Sequence, residues 1–171
     1  MSYNVAGAYE YYRRHILDPH VAKMPRYRER RIPSEGIVPF RDWEVFAAIL
    51  VNDIGSGLRV GSDLTRHEVK SARLGGSFEY QYHRDSGLTK FDHDQAVEHV
   101  FVAYDDSYRS VEVYALTARQ FGVFSASWRP QLEANYRDSM RQRFRRSIAF
   151  GDVTRSGALV LRIRDGLSVH P

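Results

Sequence analysis

The sequence predicts a single α/β domain, with α+β as the alternative class, in which a central mixed β-sheet is flanked by helices. Its 171 residues are the length of one domain, and a hydrophobic fraction of 43% is enough for a packed core. The hydrophobic period is near 3.6 in the first 50 residues and changes to 2 after them. This change predicts that helices come first and that the sheet follows.

The first predicted helix covers residues 5–17 and ends before Pro19. Its larger apolar side chains fall near one face, and these are Tyr9, Tyr12, Ile16 and Leu17. That face is a candidate dimer contact. Packing inside the monomer is the alternative.

The next stretch, residues 21–36, is basic and is interrupted by Pro25, Pro33 and Gly36. This composition predicts an arm or a connector. Residues 1–36 therefore form a helical, basic N-terminal region that could serve dimerisation or DNA wrapping. A second helix is predicted from about residue 41 to 53, with apolar residues at helical spacing.

Alternating residues follow the second helix. Residues 58–63 and His67–Arg73 are predicted as two strands joined by a tight turn. Residues 78–94 are predicted as a polar and aromatic loop region. Residues 99–104 and 111–116 form the clearest predicted strand pair, because turn residues separate them.

The last third of the chain is predicted to add two helices and a hairpin. Thr117 is a candidate N-cap for a short helix to about Val123. A longer helix is predicted over residues 130–145. The closing hairpin pairs residues 147–152 with residues 158–163.

Composition excludes several classes of protein. The chain contains no cysteine, which rules out disulfides, thiolate metal sites and cysteine nucleophiles. No apolar stretch is long enough to span a bilayer and the first residues do not resemble a signal peptide, so a cytoplasmic protein without membrane contact is expected.

The net charge is +4, and arginines are concentrated in two clusters. These are Arg26, Arg28, Arg30 and Arg31, and then Arg137, Arg141, Arg143, Arg145 and Arg146. Such clusters favour a nucleic-acid partner. The alternatives are solvated helix faces and a genome that favours arginine codons.

Glu68 and Lys70 are the strongest candidates for chemistry. They share a face of the predicted strand because alternate residues point the same way. The predicted turn brings Asp63 close to Glu68, and two carboxylates are hard oxygen ligands of the kind that Mg²⁺ prefers. A lysine beside such an ion can activate or hold the attacking water. The three residues together predict a magnesium-dependent nuclease site.

Other acids compete for the first position of this site. Asp53 is the rival of Asp63, and Asp42 and Glu44 on the second helix could also supply a carboxylate. The simplest alternative is a solvated strand with alternating charges.

Two groups of residues are candidates for DNA contacts. The first could read base edges and contains Tyr80, Gln81, Tyr82, His83, Arg84 and Lys90. The second, Arg141 and Arg145, could bind phosphates. For the first group the alternative is an exposed loop held by tyrosine packing.

The order of these features resembles that of the small type II restriction endonucleases of the PD-(D/E)xK superfamily. One such enzyme has Gly-Asn-Asp followed by Glu-Leu-Lys-Ser, and this chain has Gly61-Ser62-Asp63 followed by Glu68-Val69-Lys70-Ser71. The resemblance spans roughly residues 40–163. The gap between the acids is shorter here, and Tyr-Gln-Tyr-His-Arg stands where the family has a run of histidines.

The resemblance implies a restriction-endonuclease-like core and a Mg²⁺ cofactor. It assigns Asp63 and Glu68 as metal ligands, Lys70 as the catalytic lysine and His83 as a base-reading residue. It also implies a homodimer that cuts double-stranded DNA at a short palindromic site. A structure-selective nuclease and a non-enzymatic DNA-binding module are the alternative functions.

Overall fold

The computed structural model describes residues 2–32, 38–138 and 142–169. In chain order, the helices and strands are α1 (Val5–Tyr11), a π-helical segment (Tyr12–Leu17), α2 (Asp18–Arg30), α3 (Phe40–Leu50), β1 (His67–Arg73), β2 (Ser77–His83), α4 (Gly87–Ala96), β3 (Glu98–Tyr104), β4 (Val111–Leu116), α5 (Ala118–Ser125), α6 (Trp128–Asp138), β5 (Arg143–Ala149), α7 (Phe150–Ser156), β6 (Ala158–Arg164) and β7 (Leu167–Val169). Within the described ranges, no helix is long and apolar enough to cross a membrane.

The main sheet is mixed and has five strands in the order β1-β3-β4-β6-β7. β1 runs parallel to β3, and every other neighbouring pair is antiparallel. β2 and β5 form a separate antiparallel ribbon. The prediction of a mixed sheet flanked by helices is confirmed, and β1 lies at one edge of that sheet.

Each face of the main sheet is covered by its own hydrophobic core. Val100 and Val102 of β3 pack against the N-terminal helices, while Phe101 and Ala103 pack on the opposite side against the ribbon and the later helices. This alternation follows from the period of two in a strand. β1 therefore separates an N-terminal helical layer from a second layer that contains the β2–β5 ribbon and α4.

Several predicted elements are confirmed. The second helix begins at Phe40 and ends at Leu50, and β3 pairs with β4 across the predicted turn. Thr117 caps α5 through a capping box with Gln120. In each case the signal lies within a few residues of the element that it specifies.

The first helix does not end at Pro19. The chain stays helical from α1 through the π-helical segment and α2, so the predicted basic connector is a helix as far as Arg30. Pro19 is the second residue of α2 and follows directly on the π-helical segment, where the hydrogen-bond pattern of the helix changes. The remainder of the predicted connector, residues 33–37, lies outside the described residues.

The proposed dimer face of the first helix is part of the monomer core. Tyr12, Ile16 and Leu17 are buried within this chain. The hydroxyl of Tyr9 donates a hydrogen bond of 2.9 Å to the Gly166 carbonyl. The alternative, packing inside the monomer, is the correct interpretation of these side chains.

The predicted hairpin before Glu68 is wrong. No residue from 58 to 63 lies in a strand, and an isolated bridge joins Gly55 to Leu64 on either side of this segment. The Ser56 hydroxyl donates to the Ser62 carbonyl at 2.6 Å and closes a loop instead. Gly61 has a φ of +148°, a conformation that an L residue rarely adopts, and a Cβ there would lie 2.9 Å from Leu58.

The predicted loop over residues 78–94 is also wrong, because β2 and α4 occupy most of it. Phe78, Tyr80 and Tyr82 alternate with polar residues, and all three are buried. A period of two is therefore present in the sequence, but Tyr80 and Tyr82 carry hydroxyls, and this made the segment look polar.

The strand pairing predicted for the last third of the chain is wrong. The predicted long helix ends at Asp138, and the arginine-rich residues after it form β5, which pairs with β2. The predicted closing hairpin does not form, because α7 intervenes and β6 pairs with β4. Arg141 lies outside the described residues.

Candidate active site

The side chains of β1 divide between the two layers. Val69 packs in the core of the N-terminal helices, so Glu68 and Lys70 point to the opposite side, towards β2 and α4. Glu68 is fully buried there, and the Lys70 side chain retains 18% of its exposure. The prediction that these two residues share a face is confirmed.

Two hydrogen bonds link Asp63 to the strand that carries Glu68. The Asp63 N–H donates to Glu68 Oε2 at 3.1 Å, and the Val69 N–H donates to Asp63 Oδ2 at 3.1 Å. Asp63 Oδ1 makes no hydrogen bond to the described part of the chain. The two acids are neighbours as expected, but the loop ending at Asp63 brings them together rather than a hairpin.

Two lysines meet on one oxygen of Glu68. Lys70 donates to Glu68 Oε1 from the same strand, and Lys90 of α4 donates to the same oxygen at 2.7 Å. Lys90 also donates to Asp94 Oδ1 at 2.7 Å, one helical turn further along α4. Lys70, Glu68, Lys90 and Asp94 therefore form a continuous chain of ion pairs, and the Asp63 carboxylate lies next to it.

The charges in this cluster shift the acids in opposite directions. Burial acts to raise the pKa of Glu68, but the charges of Lys70 and Lys90 outweigh it and the pKa is lowered. Burial raises the pKa of Asp63 to about 6, and the charge of Glu68 adds to this effect. Glu68 is therefore held ionised, while ionised Asp63 is destabilised and would gain from a cation.

The carboxyl of Asp94 also has a raised pKa, first because it is buried and second because of the charge on Glu68. The Lys70 ammonium has a raised pKa: burial opposes its charge, but Glu68 and Asp63 outweigh that cost. Lys70 is thus a cation in this arrangement. Its N–H groups can donate to a water or to an anionic oxygen.

Behind Lys70 lies a buried aromatic network. The Lys70 ammonium sits 5.0 Å from the centre of the Tyr80 ring. The Tyr80 hydroxyl lies 2.8 Å from His99 Nδ1, and His99 Nε2 lies 2.8 Å from the Asp94 carbonyl. Burial lowers the pKa of His99 to about 4, so the ring is neutral. Because a carbonyl only accepts, Nε2 carries the proton and Nδ1 accepts from Tyr80.

An open cleft lies beside this cluster at the edge of the sheet. One part, of about 830 Å³, is lined by the start of α3, the loop 55–64 and residues of β2 and α4, including Lys90. An adjoining part of about 410 Å³ is lined by Asp63, Lys70 and Glu79, among others. Asp63, Glu44 and Gln81 line both parts, so the cluster opens onto a continuous surface.

The residues predicted to read DNA separate into two sets. Tyr80 and Tyr82 are buried in the second core, so their assignment as base-reading residues is corrected. Gln81 and His83 alternate with them and line the cleft. Arg84 is exposed just after β2. The Lys90 ammonium forms ion pairs with Glu68 and Asp94.

The outer face of the ribbon is strongly polar. In the register of β2 and β5, Gln81 lies opposite Arg145 and His83 lies opposite Arg143. Directly opposite residues share a face in an antiparallel pair, and both arginines are exposed. Arg145 was predicted to lie on a helix, but it lies on a strand beside the cleft.

Of the rival acids, Asp53 and Asp42 lie outside the cleft, whereas Glu44 lines it together with Asp63. Asp53 accepts from the Arg66 N–H and contacts His67 Nδ1 at 2.7 Å, on the side of β1 away from Glu68. Asp42 accepts a hydrogen bond from Tyr11. Glu44 lines the cleft, where it pairs with Arg41 at 2.6 Å.

Asp94 was missed by sequence reasoning. Its position four residues after Lys90 was a usable signal, because residues at i and i+4 meet on a helix. The signal required that residues 87–96 be recognised as a helix, and they were interpreted as a loop.

Among residues 2–32, 38–138 and 142–169, no group of three acidic or histidine side chains is arranged to hold a metal ion. No protein-family model matches the chain, and no curated protein matches it.

Proposed function

We propose that the chain is a Mg²⁺-dependent type II restriction endonuclease that hydrolyses phosphodiester bonds of double-stranded DNA. One observation carries the proposal: the Asp63 N–H donates to Glu68, the Val69 N–H donates to Asp63, and Lys70 contacts Glu68, so that the three side chains meet where Asp63 and Lys70 line an open cleft. The resemblance of Asp63, Glu68 and Lys70 to the family motif supports the same assignment.

The donor set fits a hard cation that keeps much of its water. Asp63 has one oxygen without a hydrogen bond to the described chain, and the raised pKa of its carboxyl is a repulsion that a cation would relieve. Mg²⁺ is commonly held by one or two carboxylates together with water and substrate phosphate. When bound, the ion would polarise the scissile phosphate. Lys70 would hold the attacking water near the phosphorus.

The β2–β5 ribbon supports duplex DNA as the substrate. A two-stranded ribbon fits the major groove, where arginine pairs with guanine and glutamine with adenine. Gln81, His83 and Arg145 lie on the outer face of this ribbon, and Gln81 and His83 also line the cleft. Arg84 and Arg143 extend the basic surface.

A homodimer remains part of the proposal. A two-fold symmetric protein would place one site on each strand of a palindrome. The first-helix residues once considered for this contact are buried in the monomer, so another surface would have to serve.

A second candidate function is a DNA-binding module without catalysis. The specific observation in its favour is that the charge of Glu68 is already matched by Lys70 and Lys90. Under this alternative, the cluster is a structural ion network beneath a DNA-binding ribbon. A structure-selective nuclease would share the proposed chemistry but act on branched DNA.

The deciding experiment is digestion of a plasmid of known sequence in Mg²⁺, with EDTA as the control. Discrete fragments that disappear in Glu68→Gln and Lys70→Met support the proposal. Cutting of branched substrates alone favours the structure-selective nuclease. Duplex binding without any cutting favours the DNA-binding module.

Glu112→Gln is the matched control for Glu68→Gln. Glu112 is also buried and also contacts two cations, Arg162 and Arg164, but it lies on β4 outside the cleft. Its substitution should preserve the fragment pattern. Loss of cutting in both variants would indicate that general destabilisation, not chemistry, is responsible.

A further inference from the structure

Lys90 differs from Lys70 in having two acid partners. Its ammonium lies 2.7 Å from Glu68 Oε1 and 2.7 Å from Asp94 Oδ1. Lys70, in contrast, makes its ion pair with Glu68 on its own strand. Lys90 could therefore leave Glu68 and keep the Asp94 carboxyl as a partner on its own helix, since Asp94 is one turn away.

Asp94 is itself fixed by its surroundings. It is fully buried, and the Tyr82 hydroxyl donates to its Oδ2 at 3.0 Å. Its backbone carbonyl accepts from His99. This carboxylate is therefore fixed in a position where it can remain the ion-pair partner of Lys90.

We propose that Lys90 is an exchangeable counter-ion of Glu68: it occupies the carboxylate in the metal-free protein and retreats to Asp94 when a divalent ion binds. This inference rests on the assignment of Glu68 as a metal ligand under the proposed function. Lys90 is then a positioning residue that tunes the affinity of the site for metal, rather than a DNA-binding residue.

The direction of the effect follows from charge. A divalent ion at Glu68 has to compete with the Lys90 ammonium, which lies 2.7 Å from the same carboxylate oxygen and would repel a second cation there. Replacing Lys90 by the uncharged Met should therefore tighten metal binding by about tenfold or more. Asp94→Asn should weaken metal binding, because Lys90 then has no second carboxylate to pair with when it leaves Glu68.

The test measures Mn²⁺ binding to the full chain without DNA, from the electron paramagnetic resonance signal of the free ion. Wild type, Lys90→Met, Asp94→Asn and the double variant are compared. Arg59→Met is the matched control, because Arg59 lines the same cleft without contacting Glu68. It should leave the affinity within about twofold of wild type, as expected for an exposed charge.

The double variant distinguishes exchange from a general effect of charge. If Asp94 acts only through Lys90, Asp94→Asn has no further effect in the Lys90→Met background. An undiminished effect of Asp94→Asn in that background would overturn the exchange. So would unchanged or weaker Mn²⁺ binding in Lys90→Met, or Mn²⁺ binding by neither this variant nor wild type.

The readout is separate from cleavage. If wild type fails to cut DNA but Lys90→Met binds Mn²⁺ more tightly, the exchange stands and the nuclease proposal falls. If DNA is cut but Lys90→Met does not tighten binding, the nuclease proposal stands and the exchange falls.

Discussion

Asp63→Asn should make the folded protein more stable at neutral pH in EDTA while it abolishes cleavage. Burial raises the pKa of the Asp63 carboxyl to about 6 from 3.8. At 1.36 kcal/mol for each pH unit of difference, ionised Asp63 costs the fold about 3 kcal/mol at pH 7.5. The amide is neutral at every pH, and its oxygen can still accept from the Val69 N–H.

The pH dependence of unfolding provides a separate check on the sign of the stability change in Asp63→Asn. Between pH 4 and 6 the folded wild type binds a proton that the unfolded chain has released, so its stability falls as the pH rises through this window. The Asn variant lacks this slope. Its advantage should be absent near pH 4, grow up to pH 6 and stay constant above it.

Urea unfolding of both proteins from pH 4 to 8 in EDTA measures this difference. Adding Mg²⁺ should then stabilise wild type and leave Asp63→Asn unchanged, because binding to the folded state adds to its stability. A variant that is less stable than wild type at pH 7.5, or a difference that does not depend on pH, would refute the account of Asp63.

Asp53→Asn is the control, because this substitution is expected to lower the stability of the folded protein rather than raise it. Burial acts to raise the pKa of Asp53, but hydrogen bonds from His67 and the Arg66 N–H outweigh it and the pKa is lowered. Its ionised form therefore stabilises the fold above the unfolded pKa, and this contribution is lost as the pH falls. Asp53→Asn should destabilise the protein at pH 7.5 and preserve cleavage under folding conditions.

Three further predictions concern the rest of the site. Glu68→Gln should lower the free energy of unfolding by about 3 kcal/mol, because it leaves the mostly buried Lys70 without its carboxylate. The control Glu112→Gln should cost about 1 kcal/mol, because Arg162 and Arg164 are partly exposed to water. Urea unfolding that shows no loss for Glu68→Gln would contradict the importance of its ion pairs. Tyr80→Phe should keep the ring beside the lysine and preserve cutting, but cost about 1–2 kcal/mol because His99 Nδ1 loses its donor; differential scanning calorimetry measures this, and an unchanged transition would show that the hydrogen bond contributes nothing. Arg145→Ala should weaken duplex binding and reduce the salt slope of log K by about 1 if it contacts a phosphate, whereas an unchanged slope with altered base preference would assign it to a base.

Local patterns account for the parts of the site that were predictable. Alternation placed Glu68 and Lys70 on one face of a strand, and that needed only the period of two within seven residues. The β3–β4 pair and the Thr117 cap were predictable for the same reason, since the residues that specify them are adjacent in sequence.

The sequence by itself determined the helices α1 and α3, the orientation of β1 and the acid–lysine pattern on which the nuclease proposal rests. Only the tertiary structure decided that β2 pairs with β5, more than 60 positions away, which put Arg145 beside Gln81. It also decided that Lys90, on a helix of the second layer, contacts Glu68 on β1 and that Tyr80 is buried behind Lys70. The physical reason is that backbone periodicity acts within one element, whereas strand pairing and buried charge networks depend on which distant segments meet.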